Sequence, residues 1–206
     1  MKIAIIGAGN VGGALAKGWA SAGHTVLLGV RNAGSEAVKT LLAANKNISA
    51  QIAQDAARAA EVILVALPIP AVVEVAKSLG DLRGKIVIDA TNAVFQAPEP
   101  YAHAAEAFKA LTHCEHVVKC FNSTGFENMA NPRYGALGLD MFVAGNSVEG
   151  KKIATKLAKD LGFDQCYDFG GEDKIALLEQ FALSWINLAI MQQQGRNIAF
   201  KLLRRG

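Results

Sequence analysis

The sequence contains little charge and little proline. Charged residues make up 19% of its 206 residues and only 5 residues are proline, whereas 51% belong to the hydrophobic set AVILMFWYC. Disordered chains combine low hydrophobicity with high net charge, so a disordered protein is excluded. The formal net charge of +3 is too small to indicate nucleic acid as a partner.

Cysteine is also scarce, and long hydrophobic runs are absent. Cys114, Cys120 and Cys166 are an odd set without the spacing of zinc ligands, which favours reduced thiols in the cytoplasm over a disulfide scaffold. The longest uncharged apolar run, residues 62–73, contains two prolines and is well short of the roughly 20 residues of a membrane helix. We therefore expect a cytoplasmic protein that has no membrane partner.

Apolar runs rich in β-branched residues alternate with segments of helical spacing. Residues 2–6 form the first such run, which stops at Gly7; residues 10–22 have helical periodicity, and residues 25–30 form a second run. The alternation continues to residues 165–169. This order predicts an α/β fold with a doubly wound, mostly parallel sheet and helices on both faces, spanning residues 1–170.

Residues 171–206 follow the pair Gly170-Gly171 and are predicted to be a small helical part. Residues 172–203 have the pattern of one long helix, or of two with a break near Gly195. Its apolar residues cover two adjoining faces, as expected of a helix buried on two sides. We expect this segment to pack on its own sheet and on a second subunit, as a homodimer interface; the alternative is burial wholly within the monomer.

A glycine motif follows the first predicted strand and begins the first helix. In G-x-G-x-x-G, the first glycine permits a tight turn, the second lets backbone approach a pyrophosphate, and the third allows close packing of the helix. The amino terminus of the helix then meets the negative charge. The context of strand, turn and helix predicts a nucleotide site formed by Gly7, Ala8, Gly9, Asn10, Val11 and Gly12.

The end of the second strand indicates which nucleotide binds. An NAD site has an acidic residue there for the ribose hydroxyls, but this sequence has Arg31 and Asn32, with Ser35 shortly after. The guanidinium of Arg31 suits a phosphate, and Asn32 and Ser35 add neutral donors. These residues predict a preference for NADPH; the alternative is that Arg31 is a solvated loop residue.

Two further segments are expected at the same edge of the sheet, where ligands bind in open α/β folds. Leu67 and Pro68 follow the central strand and could line the nicotinamide ribose, or form a simple loop. Asn92 follows the next strand and could bond a ribose hydroxyl or the carboxamide, while Asp89 caps a turn.

Together these segments resemble a known family. The opening Gly-x-Gly-Asn-Val-Gly, the Gly-Val-Arg-Asn at 29–32, the Asp-Ala-Thr-Asn at 89–92 and the sequence VKCFNSTGFENM at 118–129 are similar to NADP oxidoreductases related to coenzyme F420-dependent NADP reductase. The resemblance implies a Rossmann domain, a small carboxyl-terminal helical part, a homodimer, and hydride exchange between NADPH and a second redox partner.

The resemblance also implies a site for that partner. Thr124 and Phe126 would lie near the place where the nicotinamide and deazaflavin rings meet. Deazaflavin-reducing members tend to have Gly-Ser-Arg where this chain has Gly-Val-Arg, and a segment like His-Thr-Ile-Pro in place of residues 122–125. The phosphate site therefore lacks one hydroxyl, and the second-substrate site differs in shape and polarity.

No catalytic side chain is obligatory for hydride transfer between two rings, because the reactive carbons belong to the cofactors. Reduction of a carbonyl or imine would require a proton donor, and Lys119, Asn122 and Ser123 are the candidates. Lys119 could equally be a solvated residue at a strand end. No metal is expected, since His103, His113 and His116 have the pattern of surface or helix-end residues and no metal-ligand spacing to Cys114 and Cys120.

Three functions are therefore expected to compete. The first is an NADPH-dependent reductase of a deazaflavin or flavin. The second is an NADPH-dependent reductase of a small ketone or imine. The third is a non-catalytic module that senses NADPH and reports to a partner. The cofactor is NADP(H) in each case.

Overall fold

A computed structural model describes residues 1–205 of the chain. The strands in this range are β1 (Lys2–Ile6), β2 (Thr25–Gly29), β3 (Ile48–Gln51), β4 (Val62–Val65), β5 (Ile86–Asp89), β6 (His116–Cys120), β7 (Arg133–Tyr134), β8 (Leu137–Gly138), β9 (Asp140–Ala144) and β10 (Gln165–Gly170). The α-helices are α1 (Asn10–Ser21), α2 (Glu36–Ala44), α3 (Ala53–Ala59), α4 (Val72–Leu79), α5 (Ala104–Thr112), α6 (Phe126–Ala130), α7 (Val148–Asp160) and α8 (Ile175–Ile186).

Eight strands form one sheet in the order β10-β9-β6-β5-β4-β1-β2-β3. The first six strands of the chain are mutually parallel; β9 is antiparallel to β6, and β10 is parallel to β9. Strands β7 and β8 pair separately as a short hairpin. The predicted α/β fold with a mostly parallel, Rossmann-type sheet is confirmed.

The central strands are apolar at successive positions because both faces of the sheet are covered. In β1, Ile3 and Ile5 face one hydrophobic core, to which α1 and α7 contribute. Ala4 and Ile6 face the other core, to which α4, α5 and α8 contribute. Helix α8 is therefore continuous with the core of the sheet.

The carboxyl-terminal segment is less helical than its periodicity predicts. A 3-10 turn (Glu172–Lys174), α8 and a π-helical turn (Asn187–Met191) run without interruption, and residues 192–205 contain no helix. The prediction of a helix to residue 203, within a helical segment spanning 171–206, is wrong for residues 192–205, and residue 206 lies outside the described residues. Gln193 and Gly195 have positive φ values of 55° and 83°, which end the helix.

Residues 192–205, defined here as the tail, contain no helix and no strand, and they contact Trp185 of α8 and Asp140 of β9. Trp185 donates from its indole Nε1 to the carbonyl of Ile198 at 2.6 Å. The Asp140 carboxylate accepts hydrogen bonds from Lys201 Nζ and from the backbone N–H of Leu202. These contacts hold the tail away from the axis of α8, although the apolar residues of its sequence recur at helical spacing.

The stretch Glu172–Met191 is 20 residues long with a mean hydropathy of 1.3, so by length and composition alone it could cross a membrane. Core helices of soluble proteins meet the same criterion. In this chain Leu178 and Trp185 of the stretch are buried against the sheet and the tail.

Candidate cofactor site

The glycine loop between β1 and α1 is shaped by close packing at two of its glycines. Gly7 has φ +108°, and a Cβ there would lie 2.3 Å from the carbonyl oxygen of Ala66. A Cβ at Gly12 would lie 2.0 Å from the carbonyl oxygen of Gly7. A Cβ at Gly9 would meet nothing within 4 Å. The loop thus requires glycine at two positions for its own fold and is open at the third.

The open position is also the start of α1. Gly9 is the N-cap residue, no side chain caps the helix, and its first turn contains no acidic residue. Gly9 and Asn10 are exposed, and Ala8 and Val11 are partly buried beside them. The first backbone N–H groups of this twelve-residue helix are therefore available to an anion.

The loop after β2 places an unpaired cation at the same edge. Arg31 is exposed, and within residues 1–205 its guanidinium makes no hydrogen bond or ion pair. Asn32 Oδ1 accepts from the N–H of Gly34 at 2.9 Å, and Ser35 Oγ accepts from the N–H of Val38 as the N-cap of α2. Asn32 and Ser35 therefore shape the loop, while the Asn32 amide N–H groups and the Ser35 O–H remain able to donate.

Leu67 and Pro68 lie on the other side of the glycine loop. A 3-10 turn, Ile69–Ala71, follows them, and the N–H of Ala71 donates to the carbonyl of Pro68 at 3.0 Å. The side chain of Leu67 lies 3.3 Å from where a Cβ of Gly7 would be. The rigid shelf predicted after the central strand therefore directly adjoins the glycine loop.

Asn92 and Asn122 form a reciprocal amide pair beyond the shelf. Asn92 Nδ2 donates to the backbone carbonyl of Asn122 at 3.0 Å, and Asn122 Nδ2 donates to Asn92 Oδ1 at 3.0 Å. The Asn122 amide also donates to the carbonyl of Leu178 in α8 at 3.4 Å. This pair joins the ends of β5 and β6 to the carboxyl-terminal helix.

A buried ion cluster lies beneath the amide pair. Lys119 is 0% exposed, donates to Asp89 Oδ2 at 2.8 Å, and also pairs with Glu179 of α8. Asp89 Oδ1 accepts from the N–H and hydroxyl of Thr91, both at 2.8 Å, so its predicted turn-capping role is confirmed. Lys119 is not the solvated strand-end residue that the sequence left open.

Sequence reasoning missed the partners of Lys119. Glu179 is the single charged residue within the apolar sequence of α8, and Lys119 is the single charged residue of β6 apart from a histidine. A lone charge inside each of two apolar elements could have suggested that the two meet, because buried charges are found paired.

Thr124 and the turn of α6 complete the far end of the site. Thr124 Oγ1 accepts from Asn128 Nδ2 at 2.8 Å. A Cβ on Gly125 would lie 2.7 Å from the ring of Trp185, so α8 reaches this end of the sheet. Arg196 of the tail lies 5.3 Å from the ring of Phe126 and 5.4 Å from that of Trp185.

The predicted site residues therefore follow one edge of the sheet in a line. Because β1, β2, β4, β5 and β6 are parallel, their carboxyl ends share this edge, and the strand order arranges the segments in space. From one end to the other they are Arg31, the glycine loop, Leu67, Asn92 and Thr124. The arrangement matches the extended shape of a dinucleotide, with its pyrophosphate at the glycine loop.

The histidines and cysteines lie outside this line. His103 caps the start of α5 and His113 ends it with φ 55°, as predicted for helix-end residues. Within residues 1–205, no three His, Cys, Asp or Glu side chains are grouped as metal ligands. The cysteines are free thiols, and burial raises the pKa of Cys114 and Cys120.

The amino-terminal part of this site matches a known family. The family of NADP oxidoreductases described as coenzyme F420-dependent matches residues 2–93. Over these residues the chain is similar to that family. The match covers the glycine loop, Arg31, the Leu67 shelf and Asn92, so the prediction of an NADP-dependent oxidoreductase is confirmed at the level of the family. No curated protein sequence matches the chain.

Solved structures extend the similarity of this NADP oxidoreductase to the whole chain. A protein from Arthrobacter sp. FB24, provisionally described as an F420-dependent NADP reductase, is 26% identical with a TM-score of 0.85, over 99% of this chain and 100% of its own. A hypothetical protein from Sinorhizobium meliloti is 25% identical with a TM-score of 0.73, over 100% and 96%.

A more distant neighbour has another activity. The reductive aminase of Aspergillus terreus, solved with NADPH and ethyl-5-oxohexanoate, is 22% identical with a TM-score of 0.68. The alignment covers 93% of this chain but 63% of that enzyme. At this identity the likeness shows a shared fold alone.

Proposed function

We propose that this oxidoreductase transfers hydride between NADP(H) and a flat redox ring, a deazaflavin or a flavin, bound beside Thr124 and Phe126. NADP(H) itself follows from the family. The family description and the Arthrobacter neighbour support a deazaflavin, and the row of segments along the sheet edge supplies the length that a dinucleotide needs.

The observation that carries the choice of acceptor is that the candidate proton donors are occupied. Lys119 is enclosed between two carboxylates. Ser123 is buried and donates to the sulfur of Met141 at 3.7 Å, and the amide of Asn122 is held by two acceptors. Reduction of a carbonyl or imine requires a proton donor, whereas hydride transfer between two rings requires distance and orientation.

In this mechanism the protein binds and orients. The bound NADP(H) supplies or accepts the hydride at its nicotinamide ring. The first N–H groups of α1 would hold the pyrophosphate, Arg31 would hold the 2′-phosphate with donors from Asn32 and Ser35, and Leu67 with Pro68 would support the nicotinamide ribose. Helix α8 and the tail exclude water from the far end.

The first experiment measures cofactor preference. The apoprotein is titrated with NADPH and NADH, together with Arg31→Ala and the control Arg83→Ala, an exposed arginine before β5 at the opposite edge. A charge-assisted hydrogen bond contributes about 1.5 to 3 kcal/mol, so Arg31→Ala should reduce the NADPH preference by roughly 10- to 150-fold. Equal wild-type affinity for both nucleotides would contradict the role of Arg31.

The second experiment identifies the acceptor. Stopped-flow oxidation of bound NADPH is followed with coenzyme F420, FMN, FAD, and a panel of small ketones and cyclic imines. Turnover of F420 or a flavin supports the proposal. Turnover of an imine or ketone alone would assign the second function. Tight binding without any turnover would leave a sensing module.

We further propose a cytoplasmic homodimer built on α8 and its π-helical turn. Leu177, Leu188, Ile190 and Met191 are large exposed hydrophobic residues on this stretch, and exposed apolar patches mark interaction sites. The three free thiols suit a reducing compartment. Analytical ultracentrifugation of wild type and of Ile190→Lys tests the dimer. Ile190→Lys should sediment as a monomer, and a monomeric wild type would contradict the proposal.

A further inference from the structure

One buried acceptor at the nicotinamide end of the site has no donor. Asn122 is 5% exposed, and its Oδ1 has no hydrogen-bond partner among residues 1–205. The large majority of buried side-chain polar atoms have a partner, and an exception requires an explanation. A ligand that brings a hydrogen-bond donor to Oδ1 would supply that explanation.

The orientation of this acceptor is fixed by its neighbours. Asn122 Nδ2 donates to Asn92 Oδ1 at 3.0 Å and to the carbonyl of Leu178 at 3.4 Å. Exchange of the amide nitrogen and oxygen would place Oδ1 against two acceptors, so the amide cannot rotate. Asn92 is held in turn, because its own Nδ2 donates to the Asn122 carbonyl at 3.0 Å.

The position of Asn122 along the edge indicates which group arrives. Strand β6 is the third strand from β1 on the side away from β2, which is about 14 Å at the usual strand spacing. The adenosine half of the dinucleotide points the other way, toward Arg31. With the pyrophosphate at the glycine loop, the second ribose of an extended dinucleotide would lie over β4 and β5, and the nicotinamide ring with its carboxamide would reach β6.

We infer that Asn122 Oδ1 accepts a hydrogen bond from the carboxamide N–H of NADP(H), and that Asn92 positions it. This inference rests on the proposed function. It assigns the carboxamide contact to Asn122 where the sequence pointed to Asn92, because both polar atoms of the Asn92 amide already serve the pair. The contact would fix the rotation of the ring about its glycosidic bond.

The test uses a cofactor analogue without the donor. The 3-acetylpyridine analogue of NADP+ has a methyl ketone in place of the carboxamide, so it lacks the N–H. Wild type should bind NADP+ roughly 3- to 10-fold more tightly than the analogue, as one neutral hydrogen bond gives. In Asn122→Ala this ratio should fall to about 1.

Controls separate this inference from folding and from the proposed function. Asn47→Ala removes a distant amide that donates to the carbonyl of Ala20, and it should leave the ratio unchanged. Binding of 2′,5′-ADP reports the adenosine half and should be equal in all variants. A wild-type ratio near 1, or an unchanged ratio in Asn122→Ala, would overturn the inference alone. Wild type that binds neither NADP+ nor 2′,5′-ADP would overturn the proposed function and this inference with it.

Discussion

Replacement of Lys119 by methionine should cost more stability than any exposed charge change in this chain. Lys119 is completely buried between Asp89 and Glu179, and methionine keeps its length without its charge. The variant leaves two carboxylates facing each other without a cation. Removal of one partner of a buried ion pair costs about 3 to 5 kcal/mol, a large share of the 5 to 15 kcal/mol that stabilises a typical domain.

Urea unfolding followed by tryptophan fluorescence measures this loss. For a slope of about 3 kcal/mol per molar urea, the midpoint should fall by roughly 1 to 1.7 M. The matched control is Lys39→Met, which breaks an exposed pair with Glu36 and should cost no more than about 0.5 kcal/mol. Glu179→Gln keeps the Lys119–Asp89 pair and should fall between them. Equal midpoints for the two lysine variants would refute the reasoning.

Two further predictions concern the glycine loop and the tail. Gly12→Ala should unfold at a much lower temperature, since its Cβ would meet the Gly7 carbonyl, whereas Gly9→Ala should keep wild-type stability and lose NADPH affinity; equal melting temperatures would contradict this. The hydrogen bond from Arg196 lowers the pKa of Glu127. The stabilisation by this pair is therefore full above the usual carboxyl pKa of about 4.3 and is lost as the pH falls through the lowered value. The stability difference between wild type and Glu127→Gln should shrink over that range in acid unfolding, and a difference independent of pH would count against the pair.

The parts of the fold that depend on local pattern could be predicted. Strands buried on both faces are apolar without interruption, and glycine marks where they end, so the alternation of strands and helices is visible in the sequence. The glycine loop was predictable for the same reason, because the positive φ of Gly7 and the close contact of Gly12 with the Gly7 carbonyl arise within the turn itself. Both signals arise from residues that are near one another in the sequence.

The parts that depend on distant contacts could not be predicted. The periodicity of residues 192–203 is helical, but hydrogen bonds from Lys201 and Leu202 to Asp140 hold the tail in a conformation without helix. The pairing of Lys119 with Glu179 joins residues 60 positions apart. The unpaired Oδ1 of Asn122 depends in the same way on Leu178, whose carbonyl accepts a hydrogen bond from the same amide. No local pattern predicts which neighbours an amide will have.

The reversed direction of β9 and β10 has a consequence for the order in which the site is made. Because β10, like β9, runs opposite to the six parallel strands, it ends at the edge of the sheet where those strands begin. Helix α8 therefore runs back toward the carboxyl ends of the parallel strands, and Leu178 contacts Asn122 just after β6. During synthesis the residues from Arg31 to Asn92 leave the ribosome well before α8, because the amino-terminal part of a chain emerges first. The contacts of Leu178 with Asn122 and of Glu179 with Lys119 form only after α8 has emerged. The end of the site beside β6 is therefore the last part to be held in place.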